Sequence, residues 1–511
     1  MKKIVIILSI ILTAQLVNAQ SENDALRYSQ LYFGGTARSM SMGGAFGATG
    51  ADMSTLSTNP AGIGLYNRSE ISISPMLHHG KTESVYGVDF QPGDNINYVP
   101  NETSDSRFNF GLHNLGAVFT FDAGDNRSEW KKFQFGIGVN RLKNFNNQFQ
   151  ISGKNKNPYG TILEPYWSYA TTFNANGNIT GYIQPDQLAN QAAFDAHLAY
   201  QADLLYDQNP DTDKYEWTYD ALYGGVEQRN IVETSGALDE VYISFGTNYK
   251  DRLYLGGTIG FQNIEYQRKS AYHELDVADT IPFFNSLSQY NNLKTTGSGV
   301  NLKLGAIYRA SEWIRLGLAV HTPTFFNNMN DQWNSRMHSS LTLDNSPESF
   351  RSDKALGEFD YELRTPMRLI ASATILANEY GMISADYEIV DYSAANLDSN
   401  TDDFMDANDY MSENFQRQHN IRIGTEWRYN QLYIRGGYAY YGTPYNGDTD
   451  YGKTTFMTFG LGYRSNNFFI DFAYVRSEME DTYYIYDMNY APTSVNEYFQ
   501  NRYMTTLGFT F

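Results

Sequence analysis

The sequence predicts an all-β chain: a 14-stranded antiparallel transmembrane β-barrel of the outer-membrane type, with an N-terminal hatch in its lumen. Three observations carry this. Apolar and polar residues alternate with period two in segment after segment along the 511 residues, tight turns alternate with long connections, and a glycine-rich stretch precedes the first strand. Composition agrees, since aromatic residues make up 15% of the chain, with 41 Tyr and 31 Phe against 14 Pro. A formal net charge of -20 lacks the basic footprint that nucleic-acid binding needs. With no Cys, disulfides, thiol catalysis and Cys-ligated zinc are excluded.

Residues 1–19 read as a cleavable signal peptide. Lys2 and Lys3 precede the apolar run from Ile4 to Leu12, and Val17-Asn18-Ala19 supplies small residues before Gln20. The apolar run is too short to span about 30 Å of hydrocarbon. Residues 20–67 read as the hatch and 68–511 as the barrel. Gly34 to Tyr66 is rich in Gly, Ala, Ser, Thr and Met, with Arg38 and Asp52 its only charges. Such a segment is too apolar for a free tail and too glycine-rich for a stable helix, so an enclosing structure must bury it.

The strands follow in order. Alternation marks 69–80, 107–122, 131–153, 238–249, 252–275, 295–309, 313–326, 359–377, 380–391, 417–429, 431–441, 453–464, 467–484 and 500–511. Lys250-Asp251, Ala310-Ser311-Glu312, Asn378-Glu379, Asn430 and Ser465-Asn466 are tight, whereas 81–106, 154–237, 276–294, 327–358 and 392–416 are long. Short periplasmic turns and long external loops are the habit of outer-membrane barrels, which assigns the two ends. Within the longest loop, Leu188, Phe194, Leu198, Ala202 and Leu205 fall near helical spacing and predict an external amphipathic helix over 186–205.

Alternation also assigns the faces. Leu253, Leu255, Ile259 and Phe261 should meet lipid, as should Ile314, Leu316, Leu318 and Val320, because an uncompensated Arg at the bilayer midplane costs about 2–4 kcal/mol. Lys303, Arg315, Arg422, Glu426, Arg435 and Asp471 then point into the lumen. The third strand breaks this order. Phe133, Phe135, Ile137 and Val139 set an odd-numbered lipid face, Arg141 and Lys143 occupy it, and Phe145, Phe149 and Ile151 resume it. A bulge within Asn140-Arg141-Leu142-Lys143-Asn144 that turns both cations away is expected.

The run ARSMSMGGAFGATGADMSTLSTNPAGI (Ala37 to Ile63), with Asn59-Pro60-Ala61 near its end, resembles the hatch of the FadL family of outer-membrane long-chain fatty acid and hydrocarbon transporters. The barrel segments Arg315 to Phe326, Arg364 to Ile375 and Phe468 to Glu478 are similar too. The resemblance implies passive uptake of a hydrophobic small molecule by an outer-membrane monomer, and lateral release into the outer-membrane lipids through an inward kink in the third strand. It also implies a lumenal apolar pocket with cations beside the ligand's carboxylate. Lys303, Arg315 and Arg435 are candidates by inferred face alone, and paired structural cations in a polar lumen are the reading that this position favours. The final strand, ending on Phe511, resembles the signal read by the barrel assembly machinery.

Enzymatic chemistry finds no support, because no Ser, His and acid cluster is legible and no cofactor motif occurs. Asp398, Asn400, Asp402, Asp403, Asp406 and Asp409 resemble a calcium loop but lack its Gly and Glu, so a solvated loop is expected there. His78-His79 leaves a haemin-binding receptor as an alternative, and a structural or adhesive barrel without cargo is another.

Overall fold

The computed structural model describes residues 22–511 except 88–97, 100, 124–127, 158, 190–193, 211–214, 224, 402, 448 and 488–489. The expected leader lies outside the described residues. The strands are β1 (Glu70–Tyr86), β2 (Asn101–Asp122), β3 (Trp130–Asn144 and Asn147–Asn155), β4 (Val226–Tyr249), β5 (Leu253–Leu275), β6 (Phe284–Arg309) and β7 (Ile314–His321 and Phe325–Leu343). They continue as β8 (Ala355–Arg364 and Arg368–Ala377), β9 (Gly381–Asp391), β10 (Arg417–Tyr429), β11 (Leu432–Tyr441), β12 (Thr454–Arg464), β13 (Phe468–Tyr484) and β14 (Thr493–Thr510). Each pairs antiparallel with its neighbours, and β1 closes on β14 from Glu70–Thr510 to Tyr86–Ser494, so the sheet is a closed 14-stranded barrel.

Where the ladders run, closure leaves no free edge, and backbone polar groups at membrane depth are met within the wall. The turns at one end are tight because Lys250, Asp251, Asn378 and Asn430 adopt positive φ of 51–55°, the backbone twist that two-residue hairpins require. The faces expected for β5 and β7 hold. Leu316 and Leu318 are 48% and 51% exposed on the outer surface, while Lys303, Arg422, Glu426, Arg435 and Asp471 are buried inside.

Several strands are longer than the alternation indicates. β4 begins at Val226, β6 at Phe284 and β14 at Thr493, and β7 runs on to Leu343 before a tight turn at Asp344-Asn345. In these extensions outward residues such as Asn292, Lys294 and Gln332 are polar, so both faces are polar or mixed and the period-two contrast vanishes. Of the external helix expected over 186–205, the described residues show Pro185–Leu188 and Phe194–Gln201 as helical, and 190–193 lie outside the described residues. Met405–Asn414 is helical, so Asp406 and Asp409 belong to a helix rather than to the expected loop. Among the described residues no group of three or more His, Asp or Glu is placed to hold a metal ion.

Candidate functional site

Residues 34–66 lie inside the barrel, where they touch the inner faces of strands on all sides. Thr506 of β14 accepts from Ala37 N, Glu426 of β10 pairs with Arg38, Asp386 of β9 accepts from Phe46 N and Gly47 N, and Thr258 of β5 donates to Leu56 O. Close approach is possible because the wall is glycine where the segment lies against it. A Cβ on Gly305 would stand 1.9 Å from Asn59 Oδ1, and one on Gly256 would stand 2.2 Å from Pro60 O. Asn59 also caps its own turn by accepting from Ala61 N, and donates to Gly47 O at 2.6 Å. Asn59, Pro60 and Ala61 therefore fix the segment against β5 and β6.

The lumen below is filled by a chain of charges. Arg38 makes a two-bonded pair with Glu426 at 2.8 Å, Arg435 bridges Glu426 (2.5 Å) and Asp471 (2.7 Å), and Arg464 reaches Asp471 at 3.1 Å. Arg435 and Asp471 are fully buried, so each charge needs its partner. Arg435 thus belongs to this network, and Arg315 donates to Thr49 O at 2.9 Å. Neither lines the lumenal chamber that lies higher up.

That chamber, about 70 Å³, lies between residues 28–34 of the N-terminal segment and the wall. Lys303 does line it, held by the buried Glu240 with both oxygens at 2.6 Å, and Ser57 donates to the same carboxylate. Two further cations line it that the sequence reading did not select, Arg368 and Arg422, which share Glu388 at 3.2 and 3.0 Å. Alternation already places Arg422 in the lumen, and the same alternation would have found Arg368. Arg368 also donates to Ser29 O at 2.6 Å, tying the N-terminal segment to the wall.

Above the chamber, the N-terminal helix Glu22–Ser29 occupies an apolar bore. Ala25, Leu26 and Tyr28 are buried with Phe145, Leu238, Ile264, Tyr266, Phe326 and Met329, and Tyr28 meets Phe145 and Tyr266 edge to face at 6.0 Å. A second apolar cluster, with Tyr166, Leu198, Trp217, Phe284 and Met337, joins the external helices to the upper strands. There Gln289 of β6 donates to Asp195 at 2.9 Å, and burial raises the Asp195 carboxyl to about 6.

The side of the chamber faces an irregular wall. The β2–β3 ladder runs from Asp122–Lys132 to Asn114–Asn140 and ends there. On β2, His113 and Asn114 are consecutive inward residues, the bulge that shifts the register with β1 between Ser74 and Pro75. On β3, Arg141 pairs with Asp239 and Lys143 with Leu238, so Leu142 is the extra residue of a second bulge. Beyond, no ladder joins β2 to β3 among the described residues, although Tyr98 and Val99, just before β2, pair with Asn155 and Lys154 at the end of β3. Side chains bridge the seam instead: Asn144 Nδ2 to Asn109 Oδ1 at 3.2 Å, Gln148 Nε2 to Asp105 at 2.8 Å, and Asn101 Nδ2 to Ser152 O at 2.9 Å.

The bulge corrects the sequence reading in two ways. It turns Lys143 inward, where Nζ donates to Arg27 O and Gln30 O at 2.9 and 3.0 Å, but Arg141 stays on the outer face. Asp239, outward on β4, makes that possible by binding the guanidinium with both oxygens. The added residue also reverses the phase beyond it, so Phe145, Phe149 and Ile151 are buried inside rather than facing lipid. His78 and His79 lie on opposite faces of β1. His78 is buried inside, and His79 stacks on Phe108 outside at 4.1 Å, so the two are not a pair of ligands for one iron.

Wall, outer apolar band and internal segment define the class: a closed outer-membrane-type barrel of 14 strands whose lumen is blocked by its own N-terminal region. Among solved structures, the chain is similar to a FadL homologue of Pseudomonas aeruginosa, at TM-score 0.53 and 12% identity, over 94% of this chain and 99% of that one. It is similar also to the toluene transporter TodX of Pseudomonas putida, at TM-score 0.52 and 13% identity, with 94% and 99% covered. At that identity the likeness is one of fold. No family model matches the sequence, and no curated protein does.

Proposed function

We propose that this chain carries hydrophobic compounds passively across the bacterial outer membrane, as long-chain fatty acids or similar lipids and hydrocarbons, with residues 20–67 acting as its hatch. The observation that supports this most is the position of the seam. The lower lumen is blocked by the charge network around Arg435, whereas the β2–β3 ladder stops beside the chamber above that block. Cargo entering from the external end meets an apolar bore, a chamber with Lys303, Arg368 and Arg422, and a seam where the ladder between β2 and β3 has stopped, and leaves sideways into the outer-membrane lipids. No covalent step is needed.

A chamber of about 70 Å³ is far smaller than the roughly 300–1,000 Å³ of ligand pockets, so the N-terminal helix must yield its place to cargo. Ala25, Leu26 and Tyr28 stand where an acyl chain would lie. Toluene, which the neighbour TodX transports, suits a path of this kind. The test is mass spectrometry of lipids co-purified in mild detergent, repeated after deletion of Gln20 to Gln30. An apolar amphiphile enriched in one form supports the reading, and equal recovery of bulk phospholipid from both sinks it.

A further inference from the structure

At the foot of the seam His113 is buried, 7% exposed, and neither ring nitrogen has a hydrogen-bond partner. The position follows from the chain: as the extra residue of the β2 bulge, His113 is forced inward beside Asn114 at the level where the ladder to β3 ends. Its neighbour across that boundary, Asn140, lines the chamber, is 2% exposed, and has an unpartnered Oδ1. Gly34 is the residue of the N-terminal segment that lies against the two. A Cβ there would stand 3.3 Å from His113 Nε2 and 4.0 Å from Asn140 Nδ2, so glycine leaves open the space beside them.

Burying polar groups without partners costs free energy, and His113 Nε2 and the Asn140 amide, which flank Gly34, favour an occupant that hydrogen-bonds. A neutral imidazole offers one donor and one acceptor, and Asn140 Oδ1 adds an acceptor. The complement is a group that both donates and accepts, such as a hydroxyl. An alkane or a simple arene offers neither. Lys303, Arg368 and Arg422 each already hold a carboxylate, so this spot is chemically distinct from the charged wall of the chamber.

We propose that His113 is a specificity-determining residue. With Asn140 it holds the hydroxyl head of an amphiphilic cargo at the foot of the seam, so the path favours hydroxylated amphiphiles over bare hydrocarbons. This rests on the transport reading above. Its energetic basis is the asymmetry by which a site built to hydrogen-bond a hydroxyl discriminates against an analogue lacking it.

The test is transfer of 1-dodecanol and of dodecane into liposomes carrying the full-length mature protein, each measured against protein-free liposomes. The wild type should show a protein-dependent preference for the alcohol. His113→Phe, which keeps an aromatic ring without its nitrogens, should lower alcohol transfer about tenfold and leave dodecane transfer unchanged. Gly34→Ala, which fills the space beside Nε2, should act in the same direction. Loss of heat-modifiable migration in either variant would mark misfolding, in which case Asn140→Leu supplies the comparison. Equal transfer of both probes by wild type, or an equal fall for both in the variants, overturns the proposal and leaves transport standing. If neither probe moves faster than through protein-free liposomes, the transport reading itself fails.

Discussion

Arg141 and Asp239 stand side by side on the outer surface of β3 and β4, guanidinium to carboxylate at 2.8 and 2.9 Å, next to the bulge that ends the β2–β3 ladder. Both lie just beyond Val139 and Val241, the last exposed large apolar residues of those two strands toward the external end. Arg141→Ala leaves Asp239 without its partner at the rim of the apolar band. The expected result is a fall of about 1–2 kcal/mol in unfolding free energy, measured from the urea midpoint in lipid vesicles. The double exchange Arg141→Asp with Asp239→Arg should recover most of it, and a fall in the double variant as large as in the single would refute the pairing.

Lys143 ties the end of the N-terminal helix to the wall through two carbonyls, Arg27 O and Gln30 O. Lys143→Met keeps the stem and removes both bonds. Amide exchange in residues 22–33 is then expected to quicken about tenfold, while exchange in β5 and β6 stays as in the wild type. Unchanged exchange at the helix would show that Arg368 and the apolar contacts suffice to hold it.

Glycine at 305 allows Asn59 to lie flat against the wall. Gly305→Val drives a side chain into Asn59 and must displace residues 59–61. Larger ion conductance in planar bilayers is the expected consequence, with the barrel still resistant to unfolding in cold detergent. Conductance equal to wild type would mean that the segment blocks no water path.

Asp195 gives the external helices a pH dependence. Its folded carboxyl titrates near 6, above the ordinary 3.8, because burial disfavours the charge. A raised carboxyl contributes stability that is fully present below about pH 4 and is lost as pH rises through 6. His197, lowered by burial on the same helix, works in the opposite sense below its ordinary value. Asp195→Asn removes the charge, so amide protection of 194–201 should exceed wild type at pH 7.5 by on the order of 2 kcal/mol. The difference should shrink below pH 4. A gain independent of pH would assign the effect to packing.

Much of the barrel is legible in the sequence where one face meets lipid and the other does not. Leu253 to Phe261 and Ile314 to Val320 could be placed on their faces by alternation alone, and Arg435 and Asp471 followed inward because charge is excluded from hydrocarbon. Where strands rise beyond the apolar band, as at Val226 to Ala237 or Asn328 to Leu343, that contrast fades and the strand ends were set too short. The irregularity at Arg141 and Lys143 was visible as two cations out of phase. That only one of them turns inward was not, since the answer depends on Asp239, 98 residues away in sequence.

By itself the sequence determined the strand pattern, the tight and long ends, the inward charges and the need for something to bury Gly34 to Tyr66, because each follows from local period, turn chemistry or the cost of charge in lipid. Only the tertiary structure decided which charges pair, that Arg435 joins Arg38 and Glu426 while Lys303 lines the chamber, and that bulges at His113 and Leu142 meet across one seam. Those outcomes depend on register between distant strands, and a single added residue in either strand changes the direction of every side chain beyond it.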